Sequence, residues 1–248
     1  MMLLLPLLVG AAVPATNTVW KPAQQLTMIN AGPWPVSEPQ AGGMLRRLPF
    51  AAKGIVRSNI YGSSADTAGL AVRFRSNARS LLINASTGQS GMAHMPATGQ
   101  SGFDLYCWDG VSHTYRWVAL WTPAAHGHPW PTSGSGSLTG SAPMPALTGS
   151  STREFILYLP LYNGVGHVSI GVEDGASLLP SPRPAPRPPP VVFYGTSITQ
   201  GGVVSRPGMA FTNIIGRTLA RDVLNFGACV FSCSRLLLTS LVASLVCS

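Results

Sequence analysis

The eleven residues "PSPRPAPRPPP", from Pro180 to Pro190, constrain this chain more than any other stretch. Each proline fixes φ and removes a backbone donor, so the run supports neither a helix interior nor a central strand. It reads as a polyproline-type spacer, a linker at residues 181–190 with separate structure on either side.

The segment from about residue 45 to residue 180 is a series of short apolar stretches bounded by turn formers: "LAVRFRS", "SLLINAS", "FDLYCWD", "TYRWVALW", "EFILYLPLY" and "HVSIGVE". Alternation over four to eight residues predicts antiparallel strands, so residues 16–180 are expected to form a mainly β, jelly-roll-like β-sandwich. Composition agrees, because only 10% of residues are charged while glycine (27) and proline (22) are plentiful. The Gly/Ser-rich stretch "SGSGSLTGSAPMP", residues 133–145, reads as a low-complexity loop. The net charge of +8 comes from 16 scattered basic residues against 8 acidic ones, and no basic run exceeds Arg46-Arg47. That distribution excludes a nucleic-acid footprint, which needs a cationic stripe. The Arg73-Phe74-Arg75 alternation puts its arginines on the wet face of a strand.

Beyond the prolines the pattern changes. "VVFYG" has the continuous apolar character of a buried parallel strand, and "SRPGMAFTNIIGRTLARD" carries helix signals. Ser205 is the expected cap and Pro207 lies in the first turn. Phe211, Ile214, Ile215 and Leu219 fall on one face of that helix. "VLNFG" is the next strand, so residues 191–228 form one β-α-β unit, whose ligands belong at strand carboxyl ends. Ser197, in "GTSITQGG", falls at such an end, with Gly195 making the exit from the strand.

These motifs carry a family resemblance. "FYGTSITQGGVVSRPGMAFTNIIGR" resembles the first signature block of SGNH hydrolases, the GDSL-like esterase and acylhydrolase superfamily. "HMPATGQSGFDLY" and "YLPLYNGVGHVSIGV" resemble the Gly-x-Asp-Leu-Tyr β-sandwich domain that precedes the hydrolase domain in one subgroup. The resemblance implies a three-layer α/β hydrolase domain in which Ser197 is the nucleophile and its backbone N–H an oxyanion donor. It also implies a histidine base oriented by an aspartate three residues before it, and glycine and asparagine oxyanion donors in later blocks.

After "VLNFG" the chain departs from that pattern. "ACVFSCSRLLLTSLVASLVCS" places Val230 where the oxyanion glycine belongs, and the asparagine and Asp-x-x-His blocks are absent. His94, His113, His126, His128 and His167 all precede the linker. Residues 229–248 read as the end of a truncated or mis-spliced hydrolase domain. The alternatives are a membrane anchor at Leu236–Cys247 and a removable lipid-anchor signal.

Other features keep two readings. Asp104 and Tyr106 of "GFDLY" either tie down a turn or bind a saccharide substrate or line the hydrolase cleft as an interdomain contact, and His94 shares that ambiguity. Trp108, Trp117, Trp121 and Trp130 are expected to be mostly core, with a sugar-stacking platform as the alternative. "MMLLLPLLVGAAVPA", residues 1–15, reads as a secretory signal, which implies a secreted product, or a membrane-associated one if the C-terminal tail anchors it. Cys107, Cys229, Cys233 and Cys247 are spaced like neither a zinc site nor a dense disulfide scaffold.

Two functions follow. The first is a serine ester hydrolase acting on a small acyl ester or acetylated carbohydrate, weak or inactive without its base. The second is a non-catalytic sandwich that binds a partner alone. The expected chemistry uses no metal or organic cofactor.

Overall fold

The computed structural model describes residues 17–32, 45–87, 92–122, 136–143, 152–183, 185–186 and 188–228. The expected signal segment, the tail after Ala228, His126, His128 and Trp130 lie outside these residues.

Ten strands build the sandwich: β1 (Thr18–Pro22), β2 (Thr27–Ile29), β3 (Ala71–Ser76), β4 (Ser80–Thr87), β5 (Phe103–Asp109), β6 (Thr114–Trp121), β7 (Gly136–Pro143), β8 (Arg153–Tyr158), β9 (Val165–Glu173) and β10 (Leu178–Pro180). One sheet runs β1-β9-β4-β7. The other runs β10-β3-β8-β5-β6, with β2 also paired to β3, and all these pairings are antiparallel. Alternation decides which residues meet between the sheets: Val72, Phe74, Leu81, Ile83, Phe103, Leu105, Phe155, Leu157, Val168 and Ile170 form one core, with Phe74 stacked on Phe155 at 5.2 Å. Every stretch read as a strand contains one. The low-complexity loop is corrected, because residues 136–143 pair with β4 along its whole length. Main-chain hydrogen bonding makes that strand, so a Gly/Ser/Thr sequence without apolar alternation conceals it.

Short helices α1 (Ser58–Ser63) and α2 (Ala97–Ser101) lie in the connections before β3 and β5. After the prolines come β11 (Val191–Gly195), α3 (Ser197–Gln200), α4 (Phe211–Leu219) and β12 (Val223–Gly227). β11 and β12 pair in parallel, Val191 opposite Val223 through Gly195 opposite Gly227. No helix among the described residues is long and apolar enough to cross a membrane.

Three details of this part differ from the sequence-based expectation. The start of the proline segment, residues 181–183, is tied to its surroundings. The Ser181 carbonyl accepts from Thr27 (2.6 Å), the Pro182 carbonyl accepts from Arg73 (2.9 Å), and Arg183 pairs with Asp222 (3.4 Å). Arg73 is therefore half-buried beneath this strap, where Glu154 lies 3.5 Å away, and does not sit on a wet face. Second, α4 begins after Ala210 with no side-chain cap, while Ser205 precedes the 3-10 turn Pro207–Met209.

Third, α4 turns its apolar stripe outward. Phe211, Ile214 and Leu219 are exposed and Ile215 is half-buried, whereas Thr212, Asn213 and Gly216 are buried. The surface that α4 meets explains this. On the outer face of the second sheet, Tyr106 and Tyr158 meet edge to face, and Arg217 stacks over both rings at 4.2 and 5.2 Å. The Tyr158 hydroxyl reaches the Asn213 carbonyl at 3.5 Å. A partner that offers rings and hydroxyls selects small and polar side chains on the helix, whatever its apolar periodicity.

Candidate active site

Ser197 is the first residue of α3, two positions beyond β11, and is half-buried. A Cβ built on Gly195 would lie 2.1 Å from Thr199 Oγ1, so the strand leaves through a glycine because the following turn folds against it. On the other side the Ala228 N–H donates to the Gly195 carbonyl (3.2 Å), which brings the end of β12 level with the turn. Among the described residues, no hydrogen bond joins the Ser197 hydroxyl to a histidine. His94 is exposed in the turn before α2, His113 meets the edge of Trp108, and His167 pairs with Asn84 on the first sheet.

The sandwich holds this turn from behind through residues that the sequence did not single out. Arg47, 6% exposed, donates Nη1 to the carbonyls of Asn225 (2.9 Å) and Gly227 (2.5 Å). Its Nη2 reaches Ser63 O (2.7 Å) and its Nε reaches Asp66 O (2.8 Å). Burial pushes the guanidinium down to about 10, against the favourable charge of Asp66. Gln200, 0% exposed, donates Nε2 to Asp66 Oδ2 (3.0 Å) and to Leu161 O (2.9 Å). Tyr162 donates its hydroxyl to Ser197 O at 2.8 Å. Asn30 bridges the two parts at the opposite strand end, donating to Gly69 O and accepting from Val223 N–H, each at 2.8 Å.

Asp104 and Tyr106 come together on the outer face of β5, and no described contact links them to Ser197 or His94. Asp104, 0% exposed, accepts from Gly208 N–H (2.8 Å) and from Trp117 Nε1 (3.0 Å), and Arg206 lies 3.4 Å away over the Trp117 ring. The carboxylate of the GxDLY motif thus ties down the Arg206-Pro207-Gly208 turn, which lies beyond the prolines, so the bond is both a turn tie and a contact between the two parts. Of the tryptophans, Trp121 is buried, but Trp108 and Trp117 are exposed, which corrects the expectation of a mostly core role. Trp108 and Tyr115 meet edge to face at 66°. Among the described residues, no group of three or more His, Cys, Asp or Glu side chains could hold a metal ion.

These carboxylates make stability depend on pH. Burial raises Asp66 and Asp104 from 3.8 to about 6 each, more than their hydrogen bonds and arginine neighbours lower them. Between those values the folded chain holds more protons than the unfolded one, so these groups lose stability as pH rises through that window. Asp109, held near 2 first by Ser112, acts in the opposite sense only below the window. The urea midpoint is expected to rise as pH is lowered from about 7 to about 5. Asp104→Asn should remove part of that slope, and a midpoint that falls on acidification would contradict the assignment.

Both parts of the chain have counterparts among known proteins. The model of the family described as GxDLY, N-terminus of Esterase_SGNH_hydro-type, fits residues 18–178, more than half of the chain. The chain belongs to the GxDLY family. The GDSL-like lipase/acylhydrolase family model matches residues 189–247 of this GxDLY protein, so the likeness runs past Gly227, where the sequence comparison ended it. No curated protein matches the chain. Among solved structures, it is similar to a Bacteroides ovatus ATCC 8483 protein described as a GDSL-like lipase, with 23% identity and a TM-score of 0.68. That likeness covers 86% of this chain and 57% of the other. It is also similar to the salicylyl-acyltransferase SsfX3 of a tetracycline biosynthetic pathway, with 15% identity, a TM-score of 0.62, and 86% and 55% covered. At these identities the two likenesses bear on fold, and the chain spans little more than half the length of either protein.

Proposed function

We propose that this GxDLY protein carries the nucleophile segment of a serine ester hydrolase, and that β11 to β12 form the first β-α-β unit of an SGNH-type three-layer domain. One observation carries the reading: Ser197 opens a turn at the carboxyl end of a parallel strand, inside the segment that matches the GDSL-like family. In the proposed reaction Ser197 Oγ bonds to the acyl carbon of a small ester and the alcohol leaves with the serine proton. Water then releases the acid and restores the hydroxyl. A serine that lacks a triad partner reacts several orders of magnitude more slowly than one that has it, so the test below follows labelling over long exposure.

The alternative of a sandwich acting alone has the shared seam against it. Arg47, Asn30, Asp66 and Asp104 all direct polar groups to residues 191–228. The test is peptide mass spectrometry of the full chain after prolonged exposure to a fluorophosphonate, alongside turnover of a small acetyl ester. A phosphonyl adduct on Ser197 and ester turnover that disappears in Ser197→Ala are expected. Equal turnover in the two proteins would remove Ser197 from the chemistry.

A further inference from the structure

We propose that Tyr162, a residue of the sandwich, is a positioning residue for Ser197, an inference that rests on Ser197 being the nucleophile. The Ser197 carbonyl accepts three donors: Gly202 N–H (2.8 Å), Gly201 N–H (3.1 Å) and Tyr162 OH (2.8 Å). The first two belong to the turn itself. The third arrives from another layer of the molecule, 35 positions earlier in the chain.

α3 has four residues, and Thr196 before it makes no side-chain cap. Holding the Ser197 carbonyl restrains ψ of Ser197, and with it the direction of the Cα–Cβ bond that carries the hydroxyl, so the nucleophile's side chain starts from a fixed position.

Tyr162 is itself well anchored. It is 4% exposed, its ring packs with Ala68, Met95, Leu161 and Ala210, and its N–H donates to Gln100 O at 3.1 Å. The preceding residue grips the far end of the same helix, where Leu161 O accepts from Gln200. Two consecutive sandwich residues therefore hold the first and last residues of α3, and only the Tyr162 contact reaches the nucleophile.

The experiment compares the full-length wild type, Tyr162→Phe and Thr98→Val. Thr98→Val removes a different cross-seam bond, Thr98 Oγ1 to Ser205 O (2.5 Å), which does not touch Ser197. Two quantities are read: the carbonyl 13C shift of Ser197 and the rate of fluorophosphonate labelling at Ser197. Tyr162→Phe should move the shift and slow labelling about tenfold, the effect of one lost hydrogen bond of upper-range strength. Thr98→Val should leave both near wild type. An unchanged shift in Tyr162→Phe overturns the contact. A moved shift with wild-type labelling, or equal slowing in both variants, overturns the positioning role. A wild type that takes no Ala-sensitive label at Ser197 overturns the nucleophile assignment beneath it, a failure distinct from the other two.

Discussion

Arg47→Met is expected to lower the free energy of unfolding by about 3–5 kcal/mol, because several carbonyls lose one shared charged donor at once. Methionine retains much of the apolar stem but none of the donors. The carbonyls of Ser63, Asp66, Asn225 and Gly227 then lose a guanidinium that approaches each within 2.9 Å. A buried acceptor without its donor costs about 1–3 kcal/mol, and partial relaxation keeps the total below the sum of four. Asp66 also loses the positive charge that opposes its desolvation. Lysine should rescue little, since a single ammonium cannot reproduce a planar fork directed at four carbonyls. The neighbouring Arg46 is the control. It is half-buried, stacks over Tyr61 at 4.8 Å and reaches Tyr61 O at 3.1 Å, so Arg46→Met should cost about 1 kcal/mol or less. Urea unfolding checks both. Similar midpoints for the two variants would mean that Arg47 does not join the sandwich to the end of β12.

The Arg46-Arg47 pair shows what the sequence conceals. As a sequence it is two cations in a chain with few charges, and nothing local distinguishes a residue on the surface from one buried against a strand end 180 positions later. Gln200 and Asp66 are hidden for the same reason, 134 positions apart. The place of Ser197 at a strand end was legible because its signal is local: an apolar strand, a glycine and a helix within a few residues. The strands of the sandwich were legible through alternation, and β7 was not, because its side chains carry no apolar pattern. The exposed stripe of α4 makes the opposite point. Phe211, Ile214 and Leu219 have the right spacing for a buried face, but the described residues present that helix with tyrosines and hydroxyls on its packed side.

The same close packing makes Gly227→Ala the most disruptive small substitution at the turn. A Cβ at this position would lie 2.1 Å from Gln200 N, 2.6 Å from Gln200 Cα and 2.6 Å from the Thr199 carbonyl carbon. These are backbone atoms of α3, so no rotamer change relieves the contact, and either the helix or the strand end must shift. Overpacking of this kind costs about 1–3 kcal/mol when neighbours can yield. Here the shift would also lengthen the Gly227 carbonyl bond to Arg47 and the Gly227 N–H bond to Asn225 Oδ1 (2.9 Å), so a loss of about 3 kcal/mol or more is expected. Gly62→Ala is the matched control. Gly62 lies in α1 with nothing within 4 Å of its Cβ position, so alanine there should stabilise by up to about 1 kcal/mol through helix propensity. Opposite shifts in urea midpoint for the two alanines are the expected result. Because α3 begins with Ser197, displacement by Gly227→Ala should also slow fluorophosphonate labelling beyond what Tyr162→Phe does. Wild-type stability in Gly227→Ala would mean that α3 does not rest on β12, and the placement of Ser197 would then lose its support.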